Sequence, residues 1–374
     1  MAGKYIRKFA KWFFLSINII CCILFLLGCL SLYISPAQWA PIGFLSIGLP
    51  YVAVVLFFYI IFWLIVKPRL AVLPLITLLI GWKQLGVIIA WHPSATFSEQ
   101  KKDSTFRVLT WNVRGMYGIS NNYYTQQRNR TDIATLINKM DADVVCLQEF
   151  NNITLKGDPN YNNLGLFTNN YPYHFFSEDF TNKTGYYTSG TILYSKHKIL
   201  DAKKIKFSGA NAESLIYADI LVSNDTIRIF TTHLQSFEFT REDYQNIEKI
   251  KQTDDEVLEA SESIYSKMKT AFNLRSAQAD LVRNELVKCI YPSVICGDFN
   301  DVPNSYMYFH IRGDRQDVFL NSSFGIGKSF NALAPTLRID YILPDKNFDI
   351  KQFEMVDEGL SDHHLLVTDL NLKK

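Results

Sequence analysis

No aspartate or glutamate occurs before Glu99, and within that stretch lie two uncharged runs, 12–34 and 43–66, of 23 and 24 residues. A hydrocarbon core of about 30 Å is crossed by roughly 20 apolar helical residues, so each run can span it. The first is also too long for the apolar core of a cleaved leader, and a second span follows it directly. A third stretch, 70–91, is interrupted by Pro74, Gly81, Lys83 and Gln84. It is expected to be a third span; the competing reading is a two-helix hairpin followed by an interfacial segment. Pro50 is tolerable inside the second run because neighbouring helices can satisfy the carbonyl it frees.

Charge sets the orientation. Lys4, Arg7, Lys8 and Lys11 place the N-terminus in the cytoplasm, and Lys67 with Arg69 marks a cytoplasmic loop. Three crossings then put the rest of the chain outside; two would leave it in the cytoplasm. Of 38 basic residues seven precede Glu99, so the remainder carries 31 against 36 acidic, a net −5. An apolar, basic part is followed by a polar, mildly acidic one. That division excludes a uniform soluble domain, a disordered chain and a polybasic nucleic-acid binder. The cysteines, three in the first run and three later, read as small buried hydrophobes rather than a disulfide framework.

The expected organisation is a membrane anchor over 1–91, a linker over 92–104 and one catalytic domain over 105–374. In the last, apolar strand-like runs alternate with segments of helical spacing at 125–140 and 241–288. Many strands with few helices predict an α/β domain of two packed, mostly antiparallel sheets flanked by helices, a four-layer sandwich. Four apolar strands end in polar ligand types: "FRVLTWN" at Asn112, "DVVCLQE" at Glu149, "DTIRIFTTH" at His233, and "PSVICGD" at Asp298 with Asn300 just beyond. Singly these are ordinary turn formers or solvated ends. As a set they place carboxylates, amides and histidine where a strand holds them rigidly. "RID", with Asp340, and "SDH", with Asp362 and His363, extend the set. Oxygen donors without a cysteine pair suit Mg²⁺ rather than zinc. Such a cation neutralises phosphoryl oxygens while a base activates water, and a carboxylate fixes the histidine tautomer. Asp340 and His363 are the candidates for that pair.

At this point the chain resembles the endonuclease/exonuclease/phosphatase superfamily, with its deoxyribonuclease I-like fold, over about 106–370. The resemblance rests on "LTWNVRG", "VVCLQE", "TTHLQS", "GDFND", "RIDYIL" and "LSDHHLL", in the family's order. It implies metal ligation by Glu149, with Asn112 beside it holding metal or phosphate and Asp362 as a further metal-side carboxylate. His233 contacts the scissile phosphate, Asp298 positions or deprotonates the attacking water, and Asn300 orients it. Asp340 orients His363, and the charged pair grips the phosphate. His364 is expected to face outward. The cofactor implied is Mg²⁺, for which Mn²⁺ can substitute.

Two departures narrow the substrate. Asn151 stands where abasic-site endonucleases commonly carry lysine, and "RIDYIL" differs from the corresponding run of inositide 5-phosphatases. The expectation is a membrane-tethered phosphoesterase, of the bacterial cytoplasmic membrane, acting on a lipid head group or a nucleic acid. The alternatives are an exported, membrane-retained nuclease and a catalytically dead binding module on the same fold. The mixed-charge segment 237–272 reads as a solvated helical arm, and Arg275 and Gln278 as either site braces or helix packing.

Overall fold

The computed structural model describes residues 2–93, 96–102, 105–120, 122–154, 162–209, 214–252 and 257–373, with side chains outside 2–4 and 248–260. Parts of the expected linker (94–95, 103–104) and of the helical arm (253–256) therefore lie outside the described residues.

The chain begins with a hairpin of α1 (Ala2–Cys29) and α2 (Pro41–Val66), then α3 (Val72–Ile80) and α4 (Trp82–Ile88). Among the described residues two helices are long and apolar enough to cross a membrane, or three if Pro68–Ile80 and Trp82–Ile88, bent by 68°, form one span. The third apolar stretch is thus not one straight helix: it breaks at Gly81, where Gln84 Nε2 reaches back to the Cys29 carbonyl at 2.6 Å. Its last two residues form β1 (Ala90–Trp91), which pairs antiparallel with Phe324 and Gly325.

The strands and helices that follow are β2 (Phe106–Asn112), α5 (Tyr123–Lys139), β3 (Val144–Ile153), β4 (Tyr173–Phe176), β5 (Phe180–Thr181), β6 (Tyr187–Ser195), β7 (Ile199–Lys206), β8 (Ser214–Val222) and β9 (Asp225–His233). After these come α6 (Arg241–Gln252), α7 (Val257–Lys288), β10 (Ser293–Asp298), α8 (Tyr306–Arg312), α9 (Val318–Ser322), β11 (Phe324–Gly325), β12 (Asp340–Pro344), β13 (Phe348–Val356) and β14 (Leu365–Leu372). One sheet of seven strands runs β13-β14-β2-β3-β6-β4 with β5 also on β6; a second, of five, runs β12-β10-β9-β8-β7. Pairing is antiparallel except for β2 with β3 and β9 with β10, each joined by a helical crossover.

Val108, Cys146 and Leu193 of the first sheet meet Ala218, Ile229, Cys296 and Ile342 of the second in the inter-sheet core. The outer face of the first sheet packs on Ile133 and Ile137 of α5, and that of the second on Phe272, Ala279 and Val282 of α7 with Met307 of α8. The domain is therefore the four-layer arrangement expected. With both faces covered, β2 and β10 are buried along their whole length, which is why they read as unbroken apolar runs rather than alternating ones. Residues 96–102 lie along this sheet rather than bridging free space. Lys101 bonds Asp143 at 2.7 Å, and Asp143 also accepts from the Arg107 amide at 2.7 Å and faces His197 at 3.1 Å.

The helical part docks on the sheet-and-helix layers through specific contacts. A Cβ on Gly43 would sit 2.7 Å from the Phe272 ring, so only glycine lets α2 lie against α7 there. Phe44 stacks on Tyr265 at 5.0 Å. Pro50 supplies no N–H to the Ser46 carbonyl one turn back. That carbonyl accepts instead from Asn304 Nδ2 at 2.6 Å. The partner comes from the loop beyond β10, not from a neighbouring helix as expected. Ser31 Oγ donates to the Asn304 carbonyl at 2.7 Å, Tyr51 Oη lies 3.2 Å from Thr336 Oγ1, and Arg338 donates to the Val87 carbonyl at 2.9 Å.

Candidate active site

The two parallel pairs aim their C-terminal ends at one place. In the second sheet, Asp298 is in register with His233 of β9 and with Asp340 of β12. Gly297 makes that close pairing possible: it has φ 132°, and a Cβ there would meet the Thr232 carbonyl oxygen at 2.1 Å. From the first sheet, Asn112 Nδ2 donates to Glu149 Oε1 at 3.0 Å and to Asp298 Oδ2 at 3.1 Å. One amide thus ties the ends of both sheets together. Asn112 offers its nitrogen to the carboxylates, and its Oδ1 accepts from the Arg114 amide at 3.1 Å.

Glu149 does not end its strand. β3 continues to Ile153, and its register with β6 slips between Leu147 and Phe150. At that bulge Glu149 takes φ 51°, a left-handed conformation uncommon outside glycine. The bulge turns the carboxylate out of the core and leaves it 44% exposed. His233 Nε2 lies 3.9 Å from Glu149 and 3.7 Å from Asp298. Asn300, also at positive φ (52°), donates its backbone N–H to Asp298 Oδ1 at 2.8 Å and its side-chain amide to the Leu234 carbonyl at 2.8 Å.

His363 Nδ1 lies 3.0 Å from Asp340 Oδ2, and its Nε2 lies 3.6 Å from Asp298. Burial opposes charge on this ring, but the carboxylates of Asp340 and Asp298 outweigh it and raise His363 to about 10. Burial, reinforced by Asp298, raises Asp340 to about 6 against the pull of His363. Between those values the pair is an imidazolium beside a carboxylate. Asp298, Asp340 and His363 also have ligand atoms within 4.8 Å of one another. An imidazolium has no free lone pair for a metal, so this triplet suits phosphate contact and water handling better than cation binding. A hard cation fits the open side, where Glu149 presents oxygen and waters or a phosphate can complete the shell.

Asp362 stands apart from the triplet: its carboxylate is 3.3 Å from Arg114 and 28% exposed. His364 meets Asn331 at 2.9 Å and Asp357 at 3.2 Å, away from the cluster. Arg275 lies 3.7 Å from Asp301 and faces the Phe237 ring at 4.4 Å, while Gln278 accepts from the Gln235 amide at 2.8 Å. These two brace the loops that follow Asp298 and His233.

Sequence reasoning missed Ser329. It is fully buried, and its hydroxyl donates to Asp340 Oδ2 at 2.7 Å while accepting from the Ile339 and Asp340 amides. It missed Ser361 and Trp111, which bond the Asn112 and His363 carbonyls at 2.7 and 2.8 Å. It also missed Arg114 and Tyr244. Burial raises the Tyr244 hydroxyl, and Asp362 pushes it further against the pull of Arg114. A strand-end scan could have reached Trp111, one residue before Asn112. Nothing local marks Ser329.

A layered α/β scaffold that gathers two carboxylates, a bridging amide and an Asp–His pair at one place defines a hydrolase of phosphoric esters. Residues 109–363 match the Endonuclease/Exonuclease/phosphatase family, and the chain belongs to it; members of that family are metal-dependent phosphoester hydrolases such as nucleases and phosphatases. Residues 11–88 match a domain of unknown function, DUF8431. No curated protein matches the chain. Among solved structures, an endonuclease/exonuclease/phosphatase from Beutenbergia cavernae is 19% identical, with a TM-score of 0.50 over 72% of each chain. The human Nocturnin catalytic domain with bound sulfate is 17% identical, with a TM-score of 0.50 over 72% of this chain and 94% of its own. A family member from Bacteroides vulgatus is 18% identical, with a TM-score of 0.50 over 72% of this chain and all of its own. These likenesses show the fold.

Proposed function

We propose that the chain is a membrane-tethered, Mg²⁺-dependent phosphoesterase that hydrolyses a phosphodiester or phosphomonoester by in-line attack of water. The observation that carries this reading is the double donation of Asn112 Nδ2 to Glu149 and Asp298, which brings the ends of both sheets to one centre. Glu149, steadied by Asn112, is the principal metal ligand, with Asp362 the further carboxylate on that side. When bound, the cation neutralises charge on the phosphoryl oxygens. Asp298 accepts the proton of the attacking water, and Asn300 orients that water. His363, held charged by Asp340, donates Nε2–H to a phosphoryl oxygen, and His233 contacts the same group. No covalent intermediate is needed.

The tether follows from the two ends of the helical hairpin. The basic residues Arg7, Lys8, Lys11, Lys67 and Arg69 lie at one end. Ser31, Ser46 and Val87, which bond the catalytic layers, lie toward the other. With the basic end cytoplasmic, the catalytic domain is extracytoplasmic and the bent α3–α4 pair is the third crossing. The test of the chemistry is chelation. The full chain should lose turnover of bis(4-nitrophenyl) phosphate in excess chelator and regain it with Mg²⁺ or Mn²⁺; undiminished turnover in chelator would remove the metal from the reading.

A further inference from the structure

A groove of about 710 Å³ opens between α2 and the bent α3–α4 pair. That volume lies within the ~300–1,000 Å³ range of ligand sites. Phe57 and Leu79 line its deep end, Gly86 its middle, and Trp91, Ile326 and Thr336 its upper end. Its walls are almost wholly apolar. The deep end belongs to helices long and apolar enough to cross a membrane, where the surrounding solvent is hydrocarbon. The upper end belongs to the catalytic layers. Tyr51, ten residues into α2 and so about 15 Å along it, still touches Thr336. The catalytic layers therefore reach down beside the span. Trp91 (70% exposed) and Phe324 (65% exposed) meet edge to face at 5.9 Å at this level, as aromatic residues do at a membrane surface.

The segment that closes the upper end also builds the site. Between Ile326 and Thr336 it carries Ser329, which bonds Asp340, and Phe330, which pairs with His363. Thr336 itself precedes Asp340 by four residues, at most about 14 Å of chain. We propose that this groove holds an acyl chain of a membrane phospholipid whose phosphodiester lies at Glu149 and His363, so that the substrate class of the hydrolase is a bilayer lipid. The proposal rests on the hydrolase reading above. It is favoured over a nucleic-acid substrate because the part of the chain beyond residue 98 carries a net −5, whereas duplex binding draws on phosphate neutralisation by Lys and Arg. In the reaction, water adds its oxygen to phosphorus and one P–O ester bond breaks. The departing alcohol takes the proton released by the water, leaving a phosphomonoester.

The test uses the full chain with vesicles of dioleoyl phosphatidylcholine, phosphatidylethanolamine and phosphatidylglycerol, and with bis(4-nitrophenyl) phosphate and DNA as soluble substrates. A Cβ on Gly86 meets open space and Gly86 lines the groove, so Gly86→Phe directs a bulky side chain into it. Vesicle lipid should be cleaved by the wild-type chain, and in Gly86→Phe the ratio of lipid to bis(4-nitrophenyl) phosphate turnover should fall by about tenfold or more. Phosphatidylcholine carrying a diazirine at its acyl end should label the wild-type chain within 75–91. Cleavage of the soluble diester with no cleavage of any vesicle lipid would overturn the proposal and leave the hydrolase reading standing; so would turnover confined to DNA. An unchanged ratio in Gly86→Phe, or labelling that avoids 75–91, would overturn the groove. Loss of every activity in the wild-type chain would overturn both readings together.

Discussion

Asp298, Asp340 and His363 are 1%, 2% and 6% exposed, whereas the side chains of Glu149 and Asp362 are 44% and 28% exposed. The first group is fixed by partners on several sides: Asn112 and Asn300 on Asp298, Ser329 on Asp340, Trp111 on the His363 carbonyl. The second is held lightly, Glu149 by one amide and Asp362 by a half-exposed arginine. On the proposed assignment of roles, the contrast separates two jobs. Groups that handle a proton need a defined tautomer and charge, which burial among hydrogen bonds provides. Groups that receive a cation and a phosphate need open coordination positions and room for water.

The sharpest way to break that contrast is in the buried half. Asp298→Asn removes the proposed base while preserving shape, and turnover should drop about 10⁴-fold with circular dichroism unchanged. A near-normal rate would move the base elsewhere. Asp340→Asn leaves His363 in place but takes away the carboxylate that holds its charge, and should lower kcat about 10³-fold with little change in KM. Ser329→Ala strips one bond from Asp340 and should lower kcat about tenfold, within the range for outer partners of catalytic groups. If it were silent, Asp340 would need no help from that loop.

The smallest effect is on stability. His363 is raised from 6.5 to about 10 by Asp340 and Asp298 against the opposing effect of burial. The stabilisation that its charge gains is therefore lost as pH rises from about 6.5 through about 10, the interval in which Asp340, raised to about 6, is a carboxylate. In chelator-treated protein the Tm advantage of wild type over His363→Gln should shrink across that interval. An advantage that grows with pH would show that the ring is neutral when folded.

Much of this architecture was legible in the chain. Strands covered on both faces must be apolar throughout, so β2 and β10 announce themselves, and the polar residue that ends each is conspicuous against the run. The exit of Glu149 was not legible. It depends on a bulge with φ 51° inside a strand that carries on for four more residues, and nothing local distinguishes that from a strand end. The Arg114–Asp362 pair spans nearly the whole catalytic domain, and Ser329 reaches Asp340 through a loop without regular structure. The bend at Gly81 was visible only as an interruption, because its shape is set by what the last turn must meet, a two-residue ribbon with Phe324 and Gly325.

The proline in α2 has a further consequence. The Ser46 carbonyl takes its hydrogen bond from Asn304, six residues beyond Asp298. An amide oxygen stripped of its partner in an apolar surrounding costs on the order of 2–7 kcal/mol. Severing the layered domain from its helices would strip the Ser46 carbonyl of its partner, turn Asn304 Nδ2 out to water, and free the loop that carries Asn300 and Asp301. The two halves are thus keyed to each other at the helix break, and a truncated enzyme is a different molecule at its catalytic loop.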